Sequence, residues 1–194
     1  MRRTTDGSIV VVCDGNSLTQ GVGGTAYPTQ LDALCSSAVV TTNIGVGGQT
    51  TANMTSDYLT QVRPLSSSRA ARNVLVLWEV RNAMFGGVLP RAAVDELWTL
   101  ADRAVISGWQ TYVGTVIASV EAGSLTDAKI AEANGYIRAE AGSHGVSVVD
   151  FAADSRLSDE NVTTYFDADK IHLNTTGYGV VAALVFTTAS LPAA

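Results

Sequence analysis

Short apolar runs and segments with helical periodicity alternate along this chain from residue 8 to its C-terminal region. The runs at 8–13, 39–44, 73–79, 111–117 and 146–151 are rich in Val, Ile and Thr and almost continuously apolar, which is the pattern of strands covered on both faces. Between and after them, 28–36, 51–62, 91–107, 126–141 and 175–190 carry helical spacing. Pro28 suits a first helical position, and Gly108 and Gly142 suit helix ends. Five β–α units joined by right-handed crossovers predict an α/β protein, a three-layer αβα sandwich on a five-stranded parallel sheet. The common order for such a sheet is the flavodoxin-like 2-1-3-4-5.

A length of 194 residues predicts one domain over 1–194 with a full core. Hydrophobic residues make up 46% and charged residues 15%. Charge is therefore scarce against the roughly 25% of an average domain, and Ser, Thr, Gly and Asn must cover much of the surface. Twelve Lys and Arg against eighteen Asp and Glu give a net charge of −6 with no basic stripe, which argues against nucleic acids and anionic membranes as partners. The longest apolar runs, 9–13 and 180–186, fall far short of the roughly 20 residues of a membrane span. Met1-Arg2-Arg3 is followed by too short an apolar stretch for a signal peptide, so the compartment is left open. Cys13 and Cys35 read as buried thiols, with a single disulfide as the alternative. Trp98 and Trp109 read as core.

In open parallel sheets, reactive groups gather beyond the carboxyl ends of the strands. The first such loop is Asp14-Gly15-Asn16-Ser17-Leu18-Thr19-Gln20-Gly21, the second Gly45-Val46-Gly47-Gly48-Gln49-Thr50, the third Val80-Arg81-Asn82-Ala83. A longer polar loop after strand five ends in Asp169-Lys170-Ile171-His172-Leu173-Asn174. Of the two histidines, His144 precedes strand five and belongs to the opposite end of the sheet, as a turn residue. His172 stands three residues after Asp169, within reach of its carboxylate in a helical turn, where the pair is either a base with its orienting acid or a capped surface turn. Ser17, in a glycine-bounded turn after a buried strand, is either an exposed nucleophile or a helix cap. A glycine amide after strand two and an Asn carboxamide after strand three supply the N–H donors that an acyl-transfer oxyanion requires.

These blocks, in this order, make the chain resemble the SGNH hydrolases, the GDSL esterase and lipase family, over essentially its whole length. Gly15-Asn16-Ser17-Leu18-Thr19 is similar to the family's nucleophile block, Asn43-Ile44-Gly45-Val46-Gly47-Gly48-Gln49-Thr50 to the second, Leu77-Trp78-Glu79-Val80-Arg81-Asn82 to the third and Asp169-Lys170-Ile171-His172 to the fifth. The resemblance implies a serine esterase with Ser17 as nucleophile, His172 as base and Asp169 as orienter. It also implies an oxyanion hole from the Ser17 amide, Gly48 and the Asn82 side chain. Asn16 replaces the family's Asp, and Val80-Arg81-Asn82-Ala83 replaces Gly-x-Asn-Asp. The substitutions remove one charge beside the nucleophile, a glycine and an acceptor. Strand-like alternation sends Arg81 outward, away from the side that Asn82 claims; the alternative is that it reaches the site and favours substrates with a negative group.

Met84, Phe85 and Val88 after Asn82, and Tyr165 and Phe166 before Asp169, are candidate apolar flanks for a substrate or cover for the sheet edge. With no long hydrophobic lid segment, short acyl groups are favoured, and family substrates include carbohydrate acetyl esters. The expected partner is a small-molecule or carbohydrate ester and the expected state a monomer. Gly21-Val22-Gly23-Gly24-Thr25-Ala26 fits a dinucleotide-loop pattern, but its glycines begin eight residues after strand one and no P-loop lysine is present. One histidine beside scattered carboxylates is no metal-ligand set, so neither cofactor nor metal is expected. The rival readings are a silent SGNH-like carbohydrate-binding or structural module and a flavodoxin-like cofactor carrier.

Overall fold

The computed structural model describes residues 7–194, and the reading of Met1-Arg2-Arg3 lies outside them. Strands β1 (Ile9–Gly15), β2 (Val39–Asn43), β3 (Arg72–Trp78), β4 (Gln110–Gly114) and β5 (Ser147–Val149) form one parallel sheet in the order β2-β1-β3-β4-β5. Side chains alternate across it as the pleat requires. Val10, Val12, Leu75 and Leu77 join one core with Met54, Leu97, Leu100 and Ile137, while Val11, Cys13, Val74, Val76 and Trp78 join another with Leu31, Tyr178 and Val181. Helices α3 (Thr51–Asp57), α5 (Pro90–Ile106) and α6 (Asp127–Glu140) cover the first face, and α2 (Tyr27–Leu34) and α7 (Thr175–Thr188), which pack on each other, cover the second. Two short helices, α1 (Ser17–Gln20) and α4 (Arg81–Phe85), sit at the carboxyl ends of β1 and β3. They flank the point where the strand order reverses and a crevice opens.

The predicted elements are present with shifted ends. The helix expected over 51–62 continues past α3 as a π-helical turn, Tyr58–Val62, closed by the Arg63 N–H bonding back to the Tyr58 carbonyl. Gly108 follows its helix at φ +89°, whereas Gly142 lies inside a 3-10 turn and Gly145, at φ +66°, makes the left-handed stop. Strand β4 ends at Gly114, short of the predicted 117, because the carboxamide of buried Asn134 takes both backbone groups of Val116 at 2.8 Å each in place of a neighbouring strand. The residues freed from the sheet become a loop, in which Ser119 receives the Arg81 guanidinium.

Trp98 and Trp109 are buried, and Cys13 and Cys35 are buried cysteines not joined in a disulfide, with burial pushing Cys13 up to about 12. His144 stacks on Trp98 at 4.6 Å and its Nδ1 lies 2.8 Å from Asp102, at the amino end of β5. Among the described residues no helix is long and apolar enough to cross a membrane.

Glycine permits a close packing contact at the end of β4. A Cβ on Gly114 would stand 2.4 Å from Phe151 and 2.6 Å from Trp78, two rings packed on each other, whereas one on Gly135, exposed within α6, would meet nothing within 4 Å. Gly114→Ala is expected to cost about 1–3 kcal/mol by overpacking. Gly135→Ala is expected to add about 0.5–1 kcal/mol by improved helix propensity. Urea denaturation of the two variants beside the parent checks both signs.

Candidate active site

Ser17 opens α1 immediately after β1, in a turn that several close contacts specify. Asn16 caps the helix, its Oδ1 accepting the Leu18 N–H at 2.8 Å, and Gly21 ends it at φ +97°. Gly15 is required before the serine, since a Cβ there would lie 2.5 Å from the Trp78 carbonyl and 2.4 Å from Thr19 Oγ1. The turn is thus held against the end of β3.

His172 reaches Ser17 from a second tight turn. Phe166 and Leu173 bridge antiparallel, the Asp167 N–H donates to the His172 carbonyl at 2.9 Å, and Lys170 takes the left-handed conformation at φ +57°. Asn174 then caps α7 through bonds from Thr176 and Gly177. Within this turn His172 Nδ1 lies 2.5 Å from Asp169 Oδ2 and Nε2 lies 2.8 Å from Ser17 Oγ. Asp169 Oδ1 accepts the N–H groups of Ile171 and His172 at 2.9 Å each. Burial raises the Asp169 carboxyl, but these two amides and the ring outweigh it and hold the carboxyl below the usual range. The Asp167 side chain accepts the Ala168 N–H and leaves the ring to Asp169.

The Gly21–Ala26 segment is the bed on which this turn rests. A Cβ on Gly23 would approach the Leu173 carbonyl to 2.8 Å and His172 Cβ to 3.2 Å, and one on Gly24 would lie 2.4 Å from the Thr175 nitrogen. Tyr178 Oη donates to the Val22 carbonyl at 2.6 Å. The glycines permit close approach of backbone to backbone, which accounts for the spacing.

Ser17, Gly48, Arg81, Asn82, Phe85, Ile171 and His172 line one cleft of about 310 Å³. Gly48 is at φ +79°. Asn82 donates through Nδ2 to the Gln49 carbonyl at 3.0 Å and accepts through Oδ1 from Arg81 at 3.3 Å, which fixes which end of its carboxamide is which. Arg81 does not point outward as the alternation predicted. It begins a helix, where the period of two no longer applies, and is 7% exposed, with Nε and Nη2 on Ser119 Oγ at 3.1 and 2.9 Å. Phe85 is on the cleft, but Met84 and Phe166 are buried in the two cores, and Tyr165 packs on the second. Those three do not line it. Val88 is exposed outside it. Sequence reasoning missed Ile171 and Ser119; the first was legible as the residue between Asp169 and His172, whereas the second stands 38 residues from Arg81 with no local signal to pair them.

Beneath the cleft the departures from the family pattern form one arrangement. Glu79, buried behind α4, accepts the N–H groups of Val80, Asn82 and Ala83 at 2.7, 3.1 and 3.0 Å and the Asn16 amide at 2.9 Å. Burial pushes Glu79 up to about 7 against the pull of these donors. The carboxylate absent at position 16 is supplied across the crevice at position 79. Val80 turns its side chain into the core, so the branched group crowds nothing in the cleft. Gln49 joins the loops by donating to Asp14 at 3.1 Å and to the Gly15 carbonyl at 3.2 Å.

A family model described as the GDSL-like Lipase/Acylhydrolase family matches residues 13–180. No curated protein matches the chain. Among solved structures, a lipolytic protein of the G-D-S-L family from Veillonella parvula DSM 2008 superposes with a TM-score of 0.77 at 20% identity, covering 94% of this chain and 99% of its own. The Clostridium thermocellum family 3 carbohydrate esterase gives 0.72 at 18% identity, with 94% and 96% covered. An acetyl xylan esterase gives 0.72 at 19%, with 92% and 98% covered. At these identities the likeness is one of fold.

Asp14 provides a test of the buried base of this site. Burial pushes its carboxyl from 3.8 up to about 7, opposed by the Gln49 N–H. Between those values the folded chain keeps a proton that the unfolded chain has released, so this group's contribution to stability falls as pH rises through the window and levels off above it. Asp14→Asn, which can still accept from Gln49, is expected to gain stability relative to the parent from about pH 4 to pH 7. Urea titrations at stepped pH measure that widening gap.

Proposed function

The chain belongs to the GDSL-like lipase/acylhydrolase family and is a carboxylic-ester hydrolase, and from that premise we propose that it cleaves short-chain acyl esters, acetyl groups on carbohydrates among them, through a Ser17 acyl-enzyme. The observation that carries this reading is the unbroken series of contacts from Asp169 through His172 to Ser17 at the wall of one cleft. Ser17 Oγ attacks the ester carbonyl carbon as His172 Nε2 takes its proton. The carbonyl oxygen becomes an oxyanion and collapses back as the C–O bond to the alcohol breaks, with His172 returning the proton to the departing oxygen. Water, deprotonated by the same nitrogen, then attacks the acyl-enzyme and releases the acid and Ser17. Asp169 holds the ring in the tautomer that leaves Nε2 free to accept and stabilises the imidazolium.

The oxyanion falls to the amides of Ser17 and Gly48 and to the second Nδ2 hydrogen of Asn82, the first being spent on Gln49. Short acyl groups are favoured by the modest cleft, whose apolar lining comes chiefly from Phe85 and Ile171. The carbohydrate class is supported by the names of two fold relatives, a carbohydrate esterase and an acetyl xylan esterase.

A fluorophosphonate probe is expected to label the peptide containing Ser17 and no other. Ser17→Ala and His172→Ala should each lower kcat on 4-nitrophenyl acetate by about 10⁴-fold or more, with the double variant little worse, because the two act as a unit. Most of the turnover surviving in Ser17→Ala would exclude the covalent route. Asn82→Ala is expected to lower kcat by about 10²–10³-fold with KM little changed.

A further inference from the structure

Arg81 lines the same cleft as Ser17 and His172, and the acyl-transfer steps give it no part. A buried guanidinium is ordinarily paired, because removal from water is costly unless a carboxylate and hydrogen bonds compensate. Here the acceptors are neutral: Ser119 Oγ takes Nε and Nη2, and Asn82 Oδ1 takes Nη1. Among the described residues Arg81 has no carboxylate within ion-pairing distance. Glu79 and Asp169 are near enough to favour its charge but are committed elsewhere, the first to four N–H donors and the second to the His172 ring and two amides.

Of the five guanidinium N–H groups, one on each terminal nitrogen is left without an acceptor among the described residues. Two N–H groups on the two terminal nitrogens of one planar group suit the two oxygens of a carboxylate. The group is also held still. Ser119 grips one edge, and the Phe85 ring centroid lies 5.8 Å from Cζ. The loop carrying Ser119 is itself tied to the catalytic turn by the Val120 N–H donating to the Lys170 carbonyl at 2.9 Å. Arginine fixed in this way, beside apolar Phe85 and Ile171, is an anion-recognition element built into the wall of the cleft.

We propose that Arg81 binds a carboxylate carried by the substrate close to its scissile ester, so that this chain prefers anionic esters over neutral ones of the same shape. The proposal rests on the ester-hydrolase reading of the same site. The carboxylate can come with the acyl group, as in a half-ester of a dicarboxylic acid, or with the alcohol, as in an acylated hydroxy acid.

Two isosteric pairs separate those sources: monomethyl succinate against methyl succinamate for the acyl side, and 3-acetoxybenzoate against 3-acetoxybenzamide for the alcohol side, with product followed by NMR. In the parent protein at least one carboxylate is expected to exceed its carboxamide partner at least tenfold in kcat/KM, and the pair that does so identifies the side. Arg81→Gln is expected to bring that ratio close to one, and Arg81→Lys to keep part of it. A parent ratio at or below one in both pairs overturns the proposal. So does a ratio unchanged in Arg81→Gln, or equal losses on both members of a pair, which would make Arg81 a positioning residue for Asn82. Should Arg81→Gln fail to fold, as judged by thermal melting, the parent ratio and Arg81→Lys decide. Ser17-dependent hydrolysis of the carboxamides without any preference sinks this proposal alone, while hydrolysis of neither member of either pair sinks the esterase reading with it.

Discussion

The hydrogen bond between the Asn16 amide and the Glu79 carboxylate joins the carboxyl ends of β1 and β3 at the place where the sheet reverses its order. One side of that bond caps the helix that begins with Ser17; the other collects the first amides of the helix that carries Arg81 and Asn82. Ser17 and the Asn82 carboxamide are thereby set in one frame. Gln49 extends the frame to the second loop, bonding to Asp14 and Gly15 through its side chain and to Asn82 through its carbonyl. A group positioned by such contacts spends no reorganisation when charge develops beside it.

The site joins acidic groups in two different conditions. Asp14 and Glu79, out of contact with water, are pushed toward the protonated form by burial. Asp169, more open to solvent, is held toward the ionised form by the amides and ring that bond to it. In the proposed mechanism only the last must stay charged, beside an imidazole that gains and loses a proton. The two carboxyl groups below support backbone and side-chain amides, and a carboxyl can accept hydrogen bonds in either form.

The sheet was legible in the sequence because strands buried on both faces need continuous apolar runs, and the order 2-1-3-4-5 is a common way of covering five of them with helices. That Ser17, Asp169 and His172 come together was legible from a strand end, a glycine turn and a three-residue spacing, taken with the family resemblance of the blocks that carry them. What was not legible depended on partners distant in sequence. Arg81 follows a strand, and a period of two sends it outward, but α4 begins at Arg81 itself and Ser119, 38 residues on, receives its side chain. Strand four read as longer than it is because Val116 and Ile117 are as apolar as any strand residue; the carboxamide of Asn134 takes the backbone bonds of Val116 that a neighbouring strand would have filled. Met84 and Phe166 looked like cleft walls for the related reason that neighbours of site residues need not share their direction.

The contact between Ser17 and His172 spans 155 residues, and the turn bearing the histidine is anchored by α7 lying on α2 and by glycines at positions 23 and 24. During vectorial synthesis Ser17 therefore leaves the ribosome long before His172, its proposed base. Ser17 and the Glu79-capped helix both come from the first half of the chain, whereas the proposed proton transfer needs α7 packed on α2. In the proposed mechanism, a chain whose sheet is built but whose His172 turn is not in place holds Ser17 as an unactivated hydroxyl.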